Sequence, residues 1–190
     1  MTDPRTVLDF WFSAHVRALW FEKDRAFDDD IRRRFGAAVH EAQMGGFTAW
    51  AESPEGCLAL LILIDQMSRN IYRGEAKAFL GDPRARAVAD AAIARDFDKG
   101  LPADRQCFFY LPFEHAEDMA NQDRAVHLFG QMFERAAPDE KAGAENQLDY
   151  AHRHRDIIKR FGRFPHRNEA MGRPSTDDEI AFLKKPGSAF

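Results

Sequence analysis

A histidine followed by carboxylates stands in FFYLPFEHAED, residues 108–118, directly after an aromatic run. Glu117 and Asp118 lie two and three positions beyond His115. An imidazole transfers protons near neutral pH, and a carboxylate beside it can orient the ring. The pattern therefore indicates His115 as a candidate general base. The alternative is a core helix that is kinked at Pro112 and ends in solvent.

A second group of reactive side chains occurs in RFGRFPHRNEAMGR, which ends at residue 173. Guanidinium groups bind carboxylate and phosphate through paired hydrogen bonds, so this segment predicts an anionic ligand. The alternative is that the arginines pair with carboxylates elsewhere in the protein. The binding candidates of this segment are Arg163, His166, Arg167 and Asn168.

A third group follows the apolar run in LALLILIDQMSRNIYRG. A carboxylate that enters a buried layer needs a partner, and Arg69 lies one helical turn after Asp65. Two interpretations stay open: a structural ion pair at the end of the helix, or a polar pocket. The pocket candidates of this segment are Asp65, Gln66, Arg69, Asn70 and Arg73.

Histidine spacing gives no sign of a metal site. His152 and His154 are about 200° apart around a helix, so the two side chains cannot chelate one ion together. The chain also lacks H-E-x-x-H, paired C-x-x-C and Gly-rich phosphate-loop motifs. We therefore expect no metal and no cofactor. His154 faces the apolar side of its helix, where it is either a hydrogen-bonded core residue or a ligand-binding residue.

These groups must be positioned by helices, because the chain carries repeated helix-start signals and no convincing period-two stretch. The fold class predicted is all-α. The segment from Pro54 to about Tyr72 is apolar on every face in its first half, so it should be the most buried helix. The predicted helix starts are Asp3-Pro4, Ser53-Pro54, Asp82-Pro83, Asn121 and a capping box from Thr176 to Glu179.

Short Gly- or Pro-containing links between these helices favour stacked antiparallel hairpins, in an α-α superhelix or an irregular bundle. The length fits a single domain over residues 1–190. Gly162 suits the left-handed position after a helix, so 162–175 is expected to be an ordered, Arg-rich loop. Residues 184–190 are expected to form a flexible tail.

Charge is unevenly distributed along the chain. Residues 152–173 hold six Arg and one Lys against two acids, a net +5, whereas the whole chain carries −4, which leaves −9 for the rest. A local basic patch on an acidic body favours capture of a small anion and makes a nucleic-acid partner unlikely. Cys57 and Cys107 lie inside apolar runs, where free thiols act as small hydrophobes.

Localisation is expected to be cytoplasmic, because the first residues lack the basic and apolar regions of a secretory signal. The longest apolar run, residues 57–64, has eight residues. A membrane-spanning helix needs about 20. We therefore expect no membrane partner.

The chain resembles the uncharacterised bacterial family called domain of unknown function 924. The resemblance runs through LDFWF, WFEKDRAFDDDI, LILIDQMSRNIYRG, FFYLPFEHAED and RFGRFPHRNEAMGRPST. It implies a helical fold similar to tetratricopeptide-like superhelices and no assigned activity. Members commonly have Met and Ser where this chain has Glu114 and Ala116, so neither position is carried over as a site residue. The positions that match the family pattern are Asp65, Gln66, Arg69, Asn70, Arg73, His115, His154, Arg163, His166, Arg167 and Asn168.

Two functions fit these observations. The first is a polar site for an anionic small molecule, with or without catalysis, formed where the three segments converge. In that arrangement Asp65 would meet the arginines of residues 163–167. The second is a tetratricopeptide-like module that binds a protein or peptide on a concave helical surface.

Overall fold

The computed structural model describes residues 2–188, and every regular element in that range is helical. The absence of strands from the described range confirms the all-α prediction. The α-helices are α1 Pro4–Trp11, α2 Ala14–Arg17, α3 Arg25–Gln43, α4 Pro54–Leu61, α5 Ser68–Ile71, α6 Asp82–Ala94, α7 Ala103–Glu114, α8 Met119–Arg135, α9 Lys141–Phe161 and α10 Asp177–Leu183. Short 3-10 turns lie at Thr48–Glu52, Ala76–Phe79 and Pro165–Arg167, and a π-helical turn, Ile62–Met67, joins α4 to α5.

The chain divides into two compact units. Unit 1 comprises the residues up to Arg73 together with Lys77–Pro112, and unit 2 comprises Gly74–Ala76 together with the chain from Phe113 onward. The boundary falls inside α7, directly after Pro112. The expectations of a single domain and of a flexible tail stay predictions. Residues 189 and 190 of that tail lie outside the described range.

Capping side chains fix where several helices begin. Asp3 accepts a hydrogen bond from the Thr6 amide at 2.8 Å, and Ser53 accepts one from the Gly56 amide at 3.1 Å. The predicted cap at Asp82 is wrong by one residue, because Gly81 is the cap and Asp82 is the first residue of α6. The Asp82 carboxylate is instead bound by an arginine of unit 1, as described below.

The core of unit 1 is the continuous helical segment α4–π–α5. Every residue from Gly56 to Ser68 is buried, which confirms the burial predicted from the apolar run. The π-helical turn was not predicted. Directly after it, the Ser68 hydroxyl donates a side-chain hydrogen bond to the carbonyl of Ile64 inside the turn. Such turns change the direction of the side chains that follow them.

Helices α8 and α9 of unit 2 form an antiparallel hairpin. Arg155 near the end of α9 binds Asp123 near the start of α8, and Lys141 at the start of α9 reaches the carbonyl of Phe133 at the end of α8. The predicted cap at Asn121 is wrong, because Asp118 accepts the hydrogen bond from the Asn121 amide and α8 begins at Met119.

The buried face of α9 faces the core of unit 2. Ile157 and Ile158 pack with Phe164, which follows the helix. His154 is buried and His152 is exposed, as the helical spacing predicted. Tyr150, one turn before His154 on the same helix, is 41% exposed.

The C-terminal segment of unit 2 begins at Gly162, whose φ of 70° ends α9 in the left-handed conformation. Few residues other than glycine adopt this conformation readily, so the position was predictable from its type. At the other end, Thr176 and Glu179 form the predicted capping box of α10.

Candidate functional site

The candidate site in unit 2 starts at the end of α7. Glu114 is the last residue of that helix, and His115 lies in the turn after it. Neighbouring residues inside a helix point about 100° apart, but the end of the helix frees His115 from that restriction. Glu114, His115 and His154 consequently converge: one ligand atom from each lies within 4.8 Å of those of the other two.

His154 is held in a defined orientation by two acceptors. Its Nδ1 lies 2.9 Å from the carbonyl oxygen of Tyr150 and 3.1 Å from Oε1 of Glu114. Because both neighbours accept hydrogen bonds, we assign the proton of the neutral ring to Nδ1. The lone pair then lies at Nε2, the nitrogen that can bind a proton or a metal ion.

The same environment keeps His154 neutral. Burial lowers the pKa of His154 well below 6.5, and the neighbouring His115, Arg167 and His166 lower it further. The hydrogen bond to the Tyr150 carbonyl acts in the opposite direction but is outweighed. A neutral imidazole beside a buried carboxylate can bind a cation or a polar ligand.

Phe164 brings the loop 162–175 against this cluster. Its ring is fully buried and lies edge-on to His154, with 5.5 Å between ring centroids. The guanidinium of Arg167 stacks over the same ring at 4.5 Å and donates a hydrogen bond to the carbonyl of His115 at 3.0 Å. The ring centroids of His166 and Phe164 are 5.6 Å apart. Both His166 and His115 are partly exposed. His115 and His166 thus reach solvent, whereas His154 and Arg167 are buried.

Glu117, three residues after the end of α7, binds residues of the loop 162–175. Its carboxylate accepts hydrogen bonds from Arg173 at 2.6 and 2.9 Å and from the amide of Phe164 at 2.7 Å. Burial raises the pKa of Glu117, but these hydrogen bonds and the charges of Arg167 and Arg173 lower it by more, so it lies below its usual value.

Glu179 fastens the loop to α10. Arg163 donates to both of its oxygens, at 2.7 and 2.8 Å, and the Thr176 amide and Asn168 side chain donate to Oε2. The hydrogen bonds from Arg163 are the largest cause that lowers the pKa of Glu179, to about 2. Arg163 and Asn168 thus have structural partners inside the loop.

The five candidates of unit 1 also have partners within that unit. Arg69 lies 3.1 Å from Asp65 and binds both oxygens of Asp82, at 3.0 and 3.1 Å. The amide of Gln66 donates to Asp65. These contacts match the structural ion pair, one of the two interpretations left open by the sequence.

A second ion pair of unit 1 involves Asp28 on α3. Arg73 donates to both of its oxygens, at 2.7 and 2.9 Å, and the Asn70 amide donates to Oδ1 at 2.7 Å. Asn70 on α5 and Arg73, two residues after its end, therefore hold this segment against α3. Because Asp65 and the arginines of 163–167 belong to different units, their predicted meeting stays a prediction.

Within unit 2, the structure brings together His115, His154, His166 and Arg167, all predicted from the sequence. Glu114 joins them, although it was not among the predicted site residues because the family pattern has Met there. One signal could have found Glu114: a carboxylate next to a histidine, directly after a run of buried aromatics. The role of His115 as general base stays a prediction.

The expectation of no metal rested on histidine spacing along a single helix and on the absence of metal-binding motifs. His152 and His154 do lie on opposite sides of α9, since His152 is exposed and His154 is buried. Ligands can also come from two helices, and the C-terminal end of α7 and helix α9 supply such a set.

A family model matches residues 7–187 of the chain, and its description is "Bacterial protein of unknown function (DUF924)". The chain belongs to this family. The match confirms the resemblance drawn from the motifs, while the tetratricopeptide-like arrangement stays a prediction. No curated protein matches the chain.

A solved structure of a protein of unknown function, ATU0120 from Agrobacterium tumefaciens, is similar to this DUF924 member. The two chains share 40% sequence identity with a TM-score of 0.83, over 95% of this chain and 96% of the other. The likeness therefore extends over nearly the whole fold. Within the described residues, no helix combines the length and apolar character needed to cross a membrane.

Proposed function

We propose that this protein binds an anionic small molecule in unit 2, at Arg167 and the adjoining cluster of Glu114, His115 and His154. The observation that carries the proposal is the convergence of the three cluster side chains within 4.8 Å, beside a guanidinium stacked on Phe164. Convergent polar groups in a largely apolar setting are typical of small-molecule sites.

Arg167 supports an anionic ligand because its guanidinium is held rigidly. The ring of Phe164 covers one face, and the hydrogen bond to the His115 carbonyl fixes one nitrogen. A planar cation positioned in this way loses little conformational entropy when it binds a carboxylate or phosphate. The anion would therefore meet a prepared donor next to the histidines.

The other loop arginines have a structural role. Arg163 and Arg173 each bind both oxygens of one glutamate, so they serve to hold the loop in place. The sequence could not separate these roles, because all three residues are arginines within eleven positions.

The peptide-binding alternative is best placed on a concave surface of unit 1. A cavity of about 540 Å³ lies among α1, α2 and α3 and is lined by Phe10, Phe27, Asp30, Arg33 and Arg34, among others. Asp30 pairs with both arginines that line it. We prefer the site in unit 2, where two imidazoles and a carboxylate converge beside a stacked guanidinium.

Binding of two probe anions, inorganic phosphate and succinate, tests the proposal by calorimetry or NMR. We expect at least one to bind the wild type. Arg167→Met should weaken that binding by roughly 10- to 100-fold, the value of hydrogen bonds to a charged group. Arg160→Met is the matched control, because Arg160 is an exposed arginine at the end of α9.

The two anions separate phosphate ligands from carboxylate ligands, since the site should prefer one of them. Arg167→Lys keeps the charge but loses the forked donor, so it should bind with intermediate affinity. Absence of binding by both anions, or equal binding by wild type and Arg167→Met, would overturn the proposal.

A further inference from the structure

We infer that Glu114, His115 and His154 form a binding site for a divalent first-row transition metal ion. The inference builds on the proposed function, because it gives the anion site a metal centre, and it replaces the expectation of no metal drawn from the sequence. It rests on the ligand types, their separation and the contacts that hold them.

The ligand set consists of two imidazoles and one carboxylate. Such a set suits zinc, iron(II), cobalt(II) or manganese(II), and three protein ligands leave positions open for water or substrate. A metal with an open position beside Arg167 could bind one oxygen of the same anion that the guanidinium holds.

Separation within the cluster is compatible with such an ion. The three ligand atoms lie within 4.8 Å of one another, and the Tyr150 carbonyl can keep the Nδ1 proton of His154 when Oε1 of Glu114 turns to the ion. Ligands at about 2.1 Å around a tetrahedral ion are roughly 3.4 Å apart. Binding would therefore require the ligand atoms to close by up to about 1.4 Å, which the partly exposed His115 in its turn can supply.

The surroundings resemble the outer contacts of metal ligands. The Tyr150 carbonyl accepts from Nδ1 of His154, the kind of contact that fixes the tautomer and orientation of a metal-binding imidazole. The backbone of Glu114 is held by the buried Gln122 amide at 2.6 Å, and the backbone of His115 is held by Arg167. Glu114 and His154 are themselves only 3% and 4% exposed.

Cobalt(II) titration of chelator-treated, tag-free protein tests the inference, with visible absorption as the readout and zinc(II) as competitor. We expect one Co²⁺ per chain, displaced by Zn²⁺. Glu114→Gln, which is isosteric, and His115→Asn, in the turn, should each weaken Co²⁺ binding by about 100-fold or more, beyond the 10- to 100-fold cost of losing an outer partner.

His152→Asn is the matched control, because His152 is exposed on the same helix as His154 and should leave Co²⁺ binding unchanged. His154→Asn is informative only if circular dichroism shows that the variant folds, so the other two variants decide. No Co²⁺ binding by the wild type, or binding by Glu114→Gln and His115→Asn equal to wild type, would overturn the inference.

The two proposals fail separately. Phosphate and succinate binding to metal-free protein, with no Co²⁺ binding, would refute the metal site alone. Stoichiometric Co²⁺ binding, with no effect of Arg167→Met on either anion, would refute the proposed anion site alone.

Discussion

Removal of Arg173 tests how the loop 162–175 is held against the rest of unit 2. Its guanidinium binds both oxygens of Glu117, and its Nε donates to the Asn168 side chain at 3.1 Å. Arg173→Met keeps much of the length of the side chain and removes every charged hydrogen bond. We expect this substitution to lower the free energy of unfolding by about 2–3 kcal/mol.

The magnitude follows from burial. Arg173 and Glu117 are each 22% exposed, between the two limits known for ion pairs. Exposed pairs contribute about 0.2–1 kcal/mol, whereas breaking a fully buried pair costs about 3–5 kcal/mol. Glu117 keeps its hydrogen bond from the Phe164 amide, which limits the loss of unfolding free energy.

Urea unfolding followed by circular dichroism measures the effect, with Arg153→Met as the control. Arg153 pairs with Asp149 one turn earlier on α9, and both side chains are more than half exposed. Its loss should therefore cost only about 0.3–0.5 kcal/mol.

A double-mutant cycle with Glu117→Gln isolates the ion pair itself. We expect a coupling energy of about 1–3 kcal/mol between Glu117 and Arg173. A coupling near zero, or an Arg173→Met variant as stable as Arg153→Met, would refute the view that this pair holds the loop.

Two further predictions concern carboxylates. Asp65→Ala should cost about 3–5 kcal/mol, because the pair with Arg69 is largely buried, and a cost near 1 kcal/mol in urea unfolding would contradict this. Because the pKa of Glu179 is lowered to about 2, the ionised carboxylate contributes its full stabilisation of the fold above its unfolded-state pKa of about 4.3. This contribution is lost as the pH falls toward 2. The stability difference between wild type and Glu179→Gln should therefore shrink over that range, and a difference that stays constant from about pH 6 to pH 2 would refute the assignment.

Local signals in the sequence were sufficient for much of the fold. The capping side chains of Asp3, Ser53 and Thr176 act within three residues, so their effect does not depend on tertiary structure. The α8 start was predicted at Asn121, whereas the cap is Asp118. Both residue types are good caps, and spacing alone does not choose between them. The π-helical turn at Ile62–Met67 depends on packing around a buried helix, which no local pattern encodes.

The candidate site was less predictable, because its members come from two helices and a loop. His154 was placed inward by periodicity, but its proximity to Glu114 depends on how α7 and α9 pack. Long-range pairing also decided the roles of the arginines. Because Arg163, Arg167 and Arg173 are the same residue type, only the tertiary structure determines which of them binds a glutamate.

The most direct test of the central claim, an anion site at Arg167 in unit 2, is a crystal structure of the protein soaked in selenate. Selenate resembles phosphate in shape and is located by its anomalous scattering. We predict an ordered anion with an oxygen about 3 Å from the Arg167 guanidinium, facing His115 and His154. Anions bound only elsewhere, such as at Arg33 and Arg34, with none beside Arg167, would contradict the claim.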